Sequence, residues 1–160
     1  MYCLSMSSRL EQEIKQQRPF PRRSAEAFVS IMRTAAILDH ALNDALKPHG
    51  ITTTQYNVLR ILRGAGKRGL CGREVGERLV SKVPDVSRLL DRMEAQGLMT
   101  RERDAADRRH ITARVTPKGL RLLVQVAPAL EALERQRMGR LGAESLQTLI
   151  KTLDAVREPG

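Results

Sequence analysis

Apolar positions along this chain recur at two periods. Phe28, Ile31, Ala35, Leu38, Leu42 and Ala45 return at steps of three and four. That is the stripe of an amphipathic helix. Ser24 is its expected N-cap with Glu26 in the first turn, and Pro48 and Gly50 stop it. Thr52 and Gln55 have the spacing of a capping box, and Tyr56, Leu59 and Leu62 carry a short second helix to the glycine-rich stretch Gly64–Gly69. Arg73–Leu79 predicts a third, with Val75 and Leu79 facing inward. After a turn at Val80–Val83, Pro84 is placed in the first turn of a fourth helix, where its missing N–H costs nothing. Val86, Leu89, Leu90 and Met93 form the inner face of that helix and Gly97 caps it. The period then shortens to two. Leu98–Arg103 and His110–Thr116 each alternate in part, around the charged segment Asp104–Arg109, which predicts a β-hairpin. Pro117 opens a long helix carrying Leu120, Leu122, Leu123 and Val126, with Pro128 as an expected kink. Leu146, Leu149, Ile150 and Leu153 mark a last helix beyond the break at Gly139–Gly142. Residues 1–23, polar and basic with Pro19 and Pro21, are expected to be a flexible arm with a short helical turn near Leu10–Gln17.

Composition narrows the possible chemistry. The 160 residues suit one domain, and 41% of them are apolar, enough for a core. Only 2% are aromatic and there is no Trp, so that core is aliphatic. The same scarcity argues against RNA-recognition and oligonucleotide-barrel modules, which stack bases on aromatic faces. The 28 Lys and Arg against 18 Asp and Glu leave a net charge of +10, which favours a polyanionic partner, nucleic acid first and an acidic membrane surface second. Cys3 and Cys71 make neither a disulfide framework nor a CxxC pair, and a reducing cytoplasm is the expected compartment. Met1–Leu10 holds no apolar run of the signal-peptide kind, and no run is long enough to span a bilayer. His40, His49 and His110 have no metal-ligand spacing, and neither GxSxG nor a dinucleotide fingerprint occurs. The segment Gly64–Gly69 lacks the phosphate-loop spacing and suits a helix C-cap turn instead. No enzyme, cofactor or metal is expected.

Three central helices followed by a hairpin is the winged helix-turn-helix plan: a mainly α fold with a small β-hairpin wing. Residues Ile51–Leu123 resemble the MarR family, the multiple antibiotic resistance regulators. The resemblance rests on Thr52-Thr-Thr-Gln-Tyr-Asn-Val-Leu59, Arg73-Glu-Val-Gly-Glu-Arg-Leu79, Val86-Ser-Arg-Leu-Leu-Asp-Arg-Met-Glu94, Gly97-Leu98, Asp107-Arg-Arg109 and Thr116-Pro-Lys-Gly119. It implies a domain over 24–160, in which 51–116 form the DNA-binding lobe and the helices of 24–50 and 117–157 pair two copies.

The expected recognition helix reads bases in the major groove with its N-terminal, outward side chains. Those are Ser81, Lys82, Pro84, Asp85, Ser87 and Arg88, with Arg92 one turn on. Arg88 can pair bidentately with guanine, and Asp85 suits a helix cap. A bland alternative makes Arg88 and Arg92 a solvated face paired with Asp91 or Glu94. In the hairpin turn, the resemblance implies that Asp107 holds the wing while Arg108 or Arg109 enters the minor groove, whose negative potential favours arginine. Arg73, Arg101, Arg103 and Arg114 are candidate phosphate contacts, which would make binding steeply salt-dependent.

The expected partners are therefore duplex DNA and a second copy of the chain, the latter through Phe28, Ile31, Leu38, Leu146, Leu149 and Leu153. The resemblance also implies a small phenolic or lipophilic effector, for which Met32, Arg33, His40 and Tyr56 are the candidate residues. Cys71, beside a helix start, is a candidate redox reporter, with a small structural residue as the alternative. The function expected is a sequence-specific, ligand-responsive repressor. Two rival readings are a non-specific architectural DNA binder and a winged-helix protein-interaction module.

Overall fold

The computed structural model describes residues 8–103 and 111–158. Its elements run α1 (Arg9–Glu13), α2 (Arg23–Leu46), α3 (Thr53–Ala65), β1 (Leu70–Cys71), α4 (Gly72–Arg78), α5 (Val86–Ala95), β2 (Met99–Arg103), β3 (Ile111–Val115), α6 (Pro117–Met138) and α7 (Ala143–Arg157). The chain forms two compact units, Met1–Ala41 and Leu42–Gly160, so α2 begins in the first and ends in the second.

In the first unit, α1 opens on a capping box: the Ser8 hydroxyl accepts from the Glu11 N–H, and the Glu11 carboxylate accepts from the Ser8 N–H at 2.9 Å. The other Glu11 oxygen accepts from the Phe20 N–H at 3.1 Å, so one buried carboxylate ties the helix to the proline-containing segment after it. The short helical turn expected near Leu10–Gln17 is present as α1, with Leu10 and Glu11 buried. Helix α2 starts at Arg23, which places Ser24 inside the first turn rather than at the cap.

The second unit holds the core. Leu46, Ile51, Val58, Leu59, Leu62, Leu70, Val75, Leu89, Leu90, Met93, Leu98, Met99, Ala113, Leu123 and Val126 pack as one cluster of buried apolar side chains. They come from the end of α2 and from every later element through α6. Thr52 and Gln55 form the expected capping box of α3, and the Gln55 amide also donates to the Gln96 side chain at 2.9 Å, joining the start of α3 to the end of α5. Gly97, at φ +69, ends α5 in a left-handed turn: its N–H donates to Glu94 O and the Leu98 N–H to Met93 O. That is a Schellman stop, and it turns the chain directly into β2.

The hairpin is part of a larger sheet than expected. Strand β3 pairs antiparallel with β2 from Met99↔Val115 to Arg103↔Ile111, and on its other edge with β1 through Leu70↔Ala113 and Cys71↔Thr112. Two residues are too short for alternation to show, so β1 was not legible in the pattern. Thr116 caps α6 by accepting from the Gly119 N–H, with Pro117 in the first turn. A Cβ at Gly119 would run into the Leu98 carbonyl and Val115, so only glycine lets α6 lie this close to the sheet. Helix α6 continues unbroken through Pro128.

Candidate nucleic-acid interface

Helices α4 and α5 form the helix-turn-helix, and four local devices set the attitude of α5. Gly76 on α4 lets Val86 of α5 approach, since a Cβ there would sit 3.2 Å from Val86. Asn57 of α3 accepts from the Val80 N–H at 3.0 Å through its side chain, pinning the turn. Asp85 caps α5 by accepting from the Arg88 N–H at 2.9 Å. Arg101 on β2 donates to Glu94 through Nε and Nη2 at 2.9 and 2.7 Å, and its Nη2 lies 2.6 Å from Asp91.

The last contact follows from two periods meeting. Met99 and Arg101 are two apart on β2 and share a face; Met99 enters the core and Arg101 reaches under α5. Asp91 and Glu94 are three apart on α5 and share its stripe. The Arg101 hydrogen bonds hold the Glu94 carboxyl below the usual carboxylate range, against the upward push of burial. Glu94 in turn raises the Arg101 guanidinium. Only a quarter of the Arg101 side chain is exposed, and its hydrogen bonds clasp α5 to β2. Arg114 is likewise engaged, with Glu102 at 2.6 Å and the Lys67 carbonyl at 2.8 Å. Arg73 pairs with Glu77 at 2.8 Å but remains largely exposed. The hydrogen bond from Arg73 to Glu77 raises the guanidinium pKa above its ordinary value.

With Leu89, Leu90 and Met93 buried, the opposite side of α5 faces solvent. Ser81, Lys82, Pro84, Asp85, Ser87, Arg88 and Arg92 are all exposed there. The helix begins at Val86, so Pro84 precedes the cap rather than occupying the first turn as expected. Arg88 pairs with Asp85 at 3.2 Å, not with Asp91 or Glu94, which Arg101 engages. An exposed pair of this kind stabilises little. Its effect is to orient the guanidinium beside the helix N-terminus. Arg103 ends β2 exposed. Asp107, Arg108 and Arg109 lie outside the described residues. Val80, read from the sequence only as the start of the turn at Val80–Val83, is 87% exposed there. Asn57 and the Asp91–Arg101–Glu94 clasp were missed, because their partners are distant in the chain.

Of the residues expected to meet an effector, Met32, Arg33 and His40 lie exposed along α2 in the first unit. Tyr56 is half-buried on α3, with the Arg60 guanidinium 5.8 Å from its ring centre. Cys71 is the N-cap of α4 and is half-buried; its backbone N–H donates to Glu74 at 2.9 Å, the main reason that carboxyl is held low. This is the structural role weighed for it. Among the described residues, no group of His, Cys, Asp and Glu is arranged to hold a metal.

A helix-turn-helix whose second helix turns a cationic edge outward, followed by a stranded wing, defines a winged-helix DNA-binding protein. The comparisons with known proteins agree. A family model described as MarR family matches residues 49–110. Transcriptional regulator HosA of Escherichia coli O157:H7 is 33% identical over 112 residues, covering 70% of this chain and 77% of HosA. The crystal structure of a mutant MarR from E. coli complexed with operator DNA superposes with a TM-score of 0.75 at 23% identity, over 95% of this chain and 100% of that one. That of CouR from Rhodococcus jostii RHA1 bound to p-coumaroyl-CoA gives 0.71 at 24%, over 88% and 98%. The chain belongs to the MarR family of transcriptional regulators.

Proposed function

We propose that the protein is a cytoplasmic homodimeric repressor that occupies a palindromic operator and releases it on binding a small effector. The observation that carries this is the solvent-facing edge of α5, where Ser87, Arg88 and Arg92 stand outward on a helix locked to the core by its other face. Ser81, Lys82, Pro84 and Asp85 extend that edge into the turn, and Val80 adds an apolar group suited to a thymine methyl. Arg73 and Arg103 supply phosphate contacts, and Asp107, Arg108 and Arg109 serve the wing. The dimer is assigned to the helices of 24–50 and 117–157. It would set two recognition helices about 34 Å apart, one turn of duplex. An effector is supported by the relative bound to p-coumaroyl-CoA. As a member of a regulator family, the protein is read as a non-enzyme; no described helix is long and apolar enough to cross a membrane.

Titrating a selected operator and a scrambled duplex at two salt concentrations tests the reading. A regulator prefers its operator by roughly 10³-fold or more, whereas an architectural binder shows a ratio near one. Failure to bind any duplex at moderate salt would indicate a protein-interaction module instead.

A further inference from the structure

Arg88 and Arg92 stand one turn apart on the outward side of α5 and differ in their company. Arg92 enters no ion pair among the described residues. Arg88 faces one carboxylate twice. Asp85 Oδ1 accepts from the Arg88 backbone N–H at 2.9 Å, which caps the helix, and Asp85 Oδ2 lies 3.2 Å from the Arg88 side-chain Nε. The next carboxylate along the helix, Asp91, is taken by Arg101 at 2.6 Å. With Val83, Pro84, Asp91 and Arg92, the pair lines an open groove of about 500 Å³.

Stability does not explain this pair. The Arg88 side chain is 84% exposed and that of Asp85 49%, and ion pairs so exposed contribute little. A serine would cap α5 as well without setting an anion where phosphates approach. The carboxylate therefore has a use beyond the cap. Anchored to the backbone at one oxygen, it holds Nε with the other and confines a side chain that otherwise explores many rotamers. Nη1 and Nη2 then remain for guanine, whose O6 and N7 accept two parallel hydrogen bonds. A duplex seated on the groove excludes water and strengthens the pair. The same carboxylate offsets the attraction of Arg88 to phosphate, so Arg88 gains less than Arg92 from a duplex of arbitrary sequence. We propose that Asp85 is a specificity-determining residue, which holds Arg88 end-on toward one guanine of each half-site and weakens its grip on phosphate. This deepens the operator-binding role proposed above and rests on it.

A duplex selected from a random pool supplies the probe. Each guanine of its half-site is replaced in turn by 7-deazaguanine, which keeps the base pair and O6 but lacks N7. One replacement should weaken wild-type binding about tenfold, the scale of one charged hydrogen bond, and leave Arg88→Ala indifferent. Asp85→Asn keeps a capping oxygen and should melt like the wild type. Its preference for operator over scrambled duplex should fall about three- to tenfold, the cost of ordering one long side chain on binding. Asp85→Ser, a second cap without a charge, should behave alike and replaces it if Asn disturbs folding. In an Arg88→Ala background, neither substitution should lower the preference further. Three results would each overturn the role: no 7-deazaguanine replacement that separates wild type from Arg88→Ala, a wild-type preference in both Asp85 variants, or a preference that Asp85→Asn still lowers without Arg88. The last would make Asp85 itself the reader of a base. A wild type that prefers no duplex overturns the proposed function too, whereas a preference indifferent to Asp85 overturns only its role.

Discussion

Helix α5 buries Leu89, Leu90 and Met93 in the lobe, whereas the longer α7 buries none of its residues and leaves Leu149 38% and Ile150 52% exposed. Both helices carry apolar residues at steps of three and four. What differs is the neighbourhood. Around α5 stand α4, β2 and the cluster that includes Leu98 and Met99, so its stripe is satisfied within one chain. The α7 stripe is left facing outward. An amphipathic pattern thus states that a face must be covered, and says nothing of whether its own chain will cover it.

The sharpest way to break this comparison is in the core. Leu59→Ala, at a position fully buried in α3, should cost roughly 2–5 kcal/mol in urea unfolding. A loss well under that would mean the lobe does not depend on the packing described.

The α7 stripe is probed by Leu149→Asp. If it pairs two copies, light scattering should show the mass halved and operator affinity should fall about 100-fold or more, because two linked half-sites become one. An unchanged mass would remove α7 from the interface.

The outward edge of α5 is probed by Arg88→Ala, expected to cost about 1–3 kcal/mol on the operator and to relax base preference. An equal loss on scrambled duplex would make Arg88 a phosphate contact. Thr116→Ala removes the α6 cap and the hydroxyl's 2.7 Å donation to the Gly97 carbonyl, and should cost about 1 kcal/mol in thermal or urea unfolding.

The smallest effect is expected at the clasp. The Arg101 hydrogen bonds depress the Glu94 carboxyl, so its stabilising contribution is complete above the ordinary glutamate range. It is lost as pH falls through the lower folded value. Between about pH 5 and pH 3, the melting temperature of the wild type should therefore fall more steeply than that of Glu94→Gln. Parallel curves would show that the clasp contributes nothing measurable to folding.

Much of this was legible before any coordinates. Periodicity located α2 through α7, because an apolar stripe that returns every 3.6 residues fits a helix and not a strand, and the capping chemistry of Thr52, Gln55 and Asp85, with Pro117 for α6, marked where helices start. The solvent-facing edge of α5 followed once Val86, Leu89, Leu90 and Met93 were assigned inward. The pairing of Arg101 and Arg114 was not legible, because an arginine's partners are set by carboxylates elsewhere in the fold, here Asp91, Glu94 and Glu102. Strand β1 was invisible because its two residues are a strand only by virtue of β3 alongside.

By itself, the order of residues determined the helices, their stops, the hairpin and which side of α5 faces out, since these depend on neighbours within one or two turns. Tertiary structure alone decided which charges are engaged between elements, that Arg101 clasps α5, and that Gln55 joins α3 to its end. Those depend on groups brought together from across the chain, such as Gln55 and Gln96, and no local pattern encodes a distance of that kind.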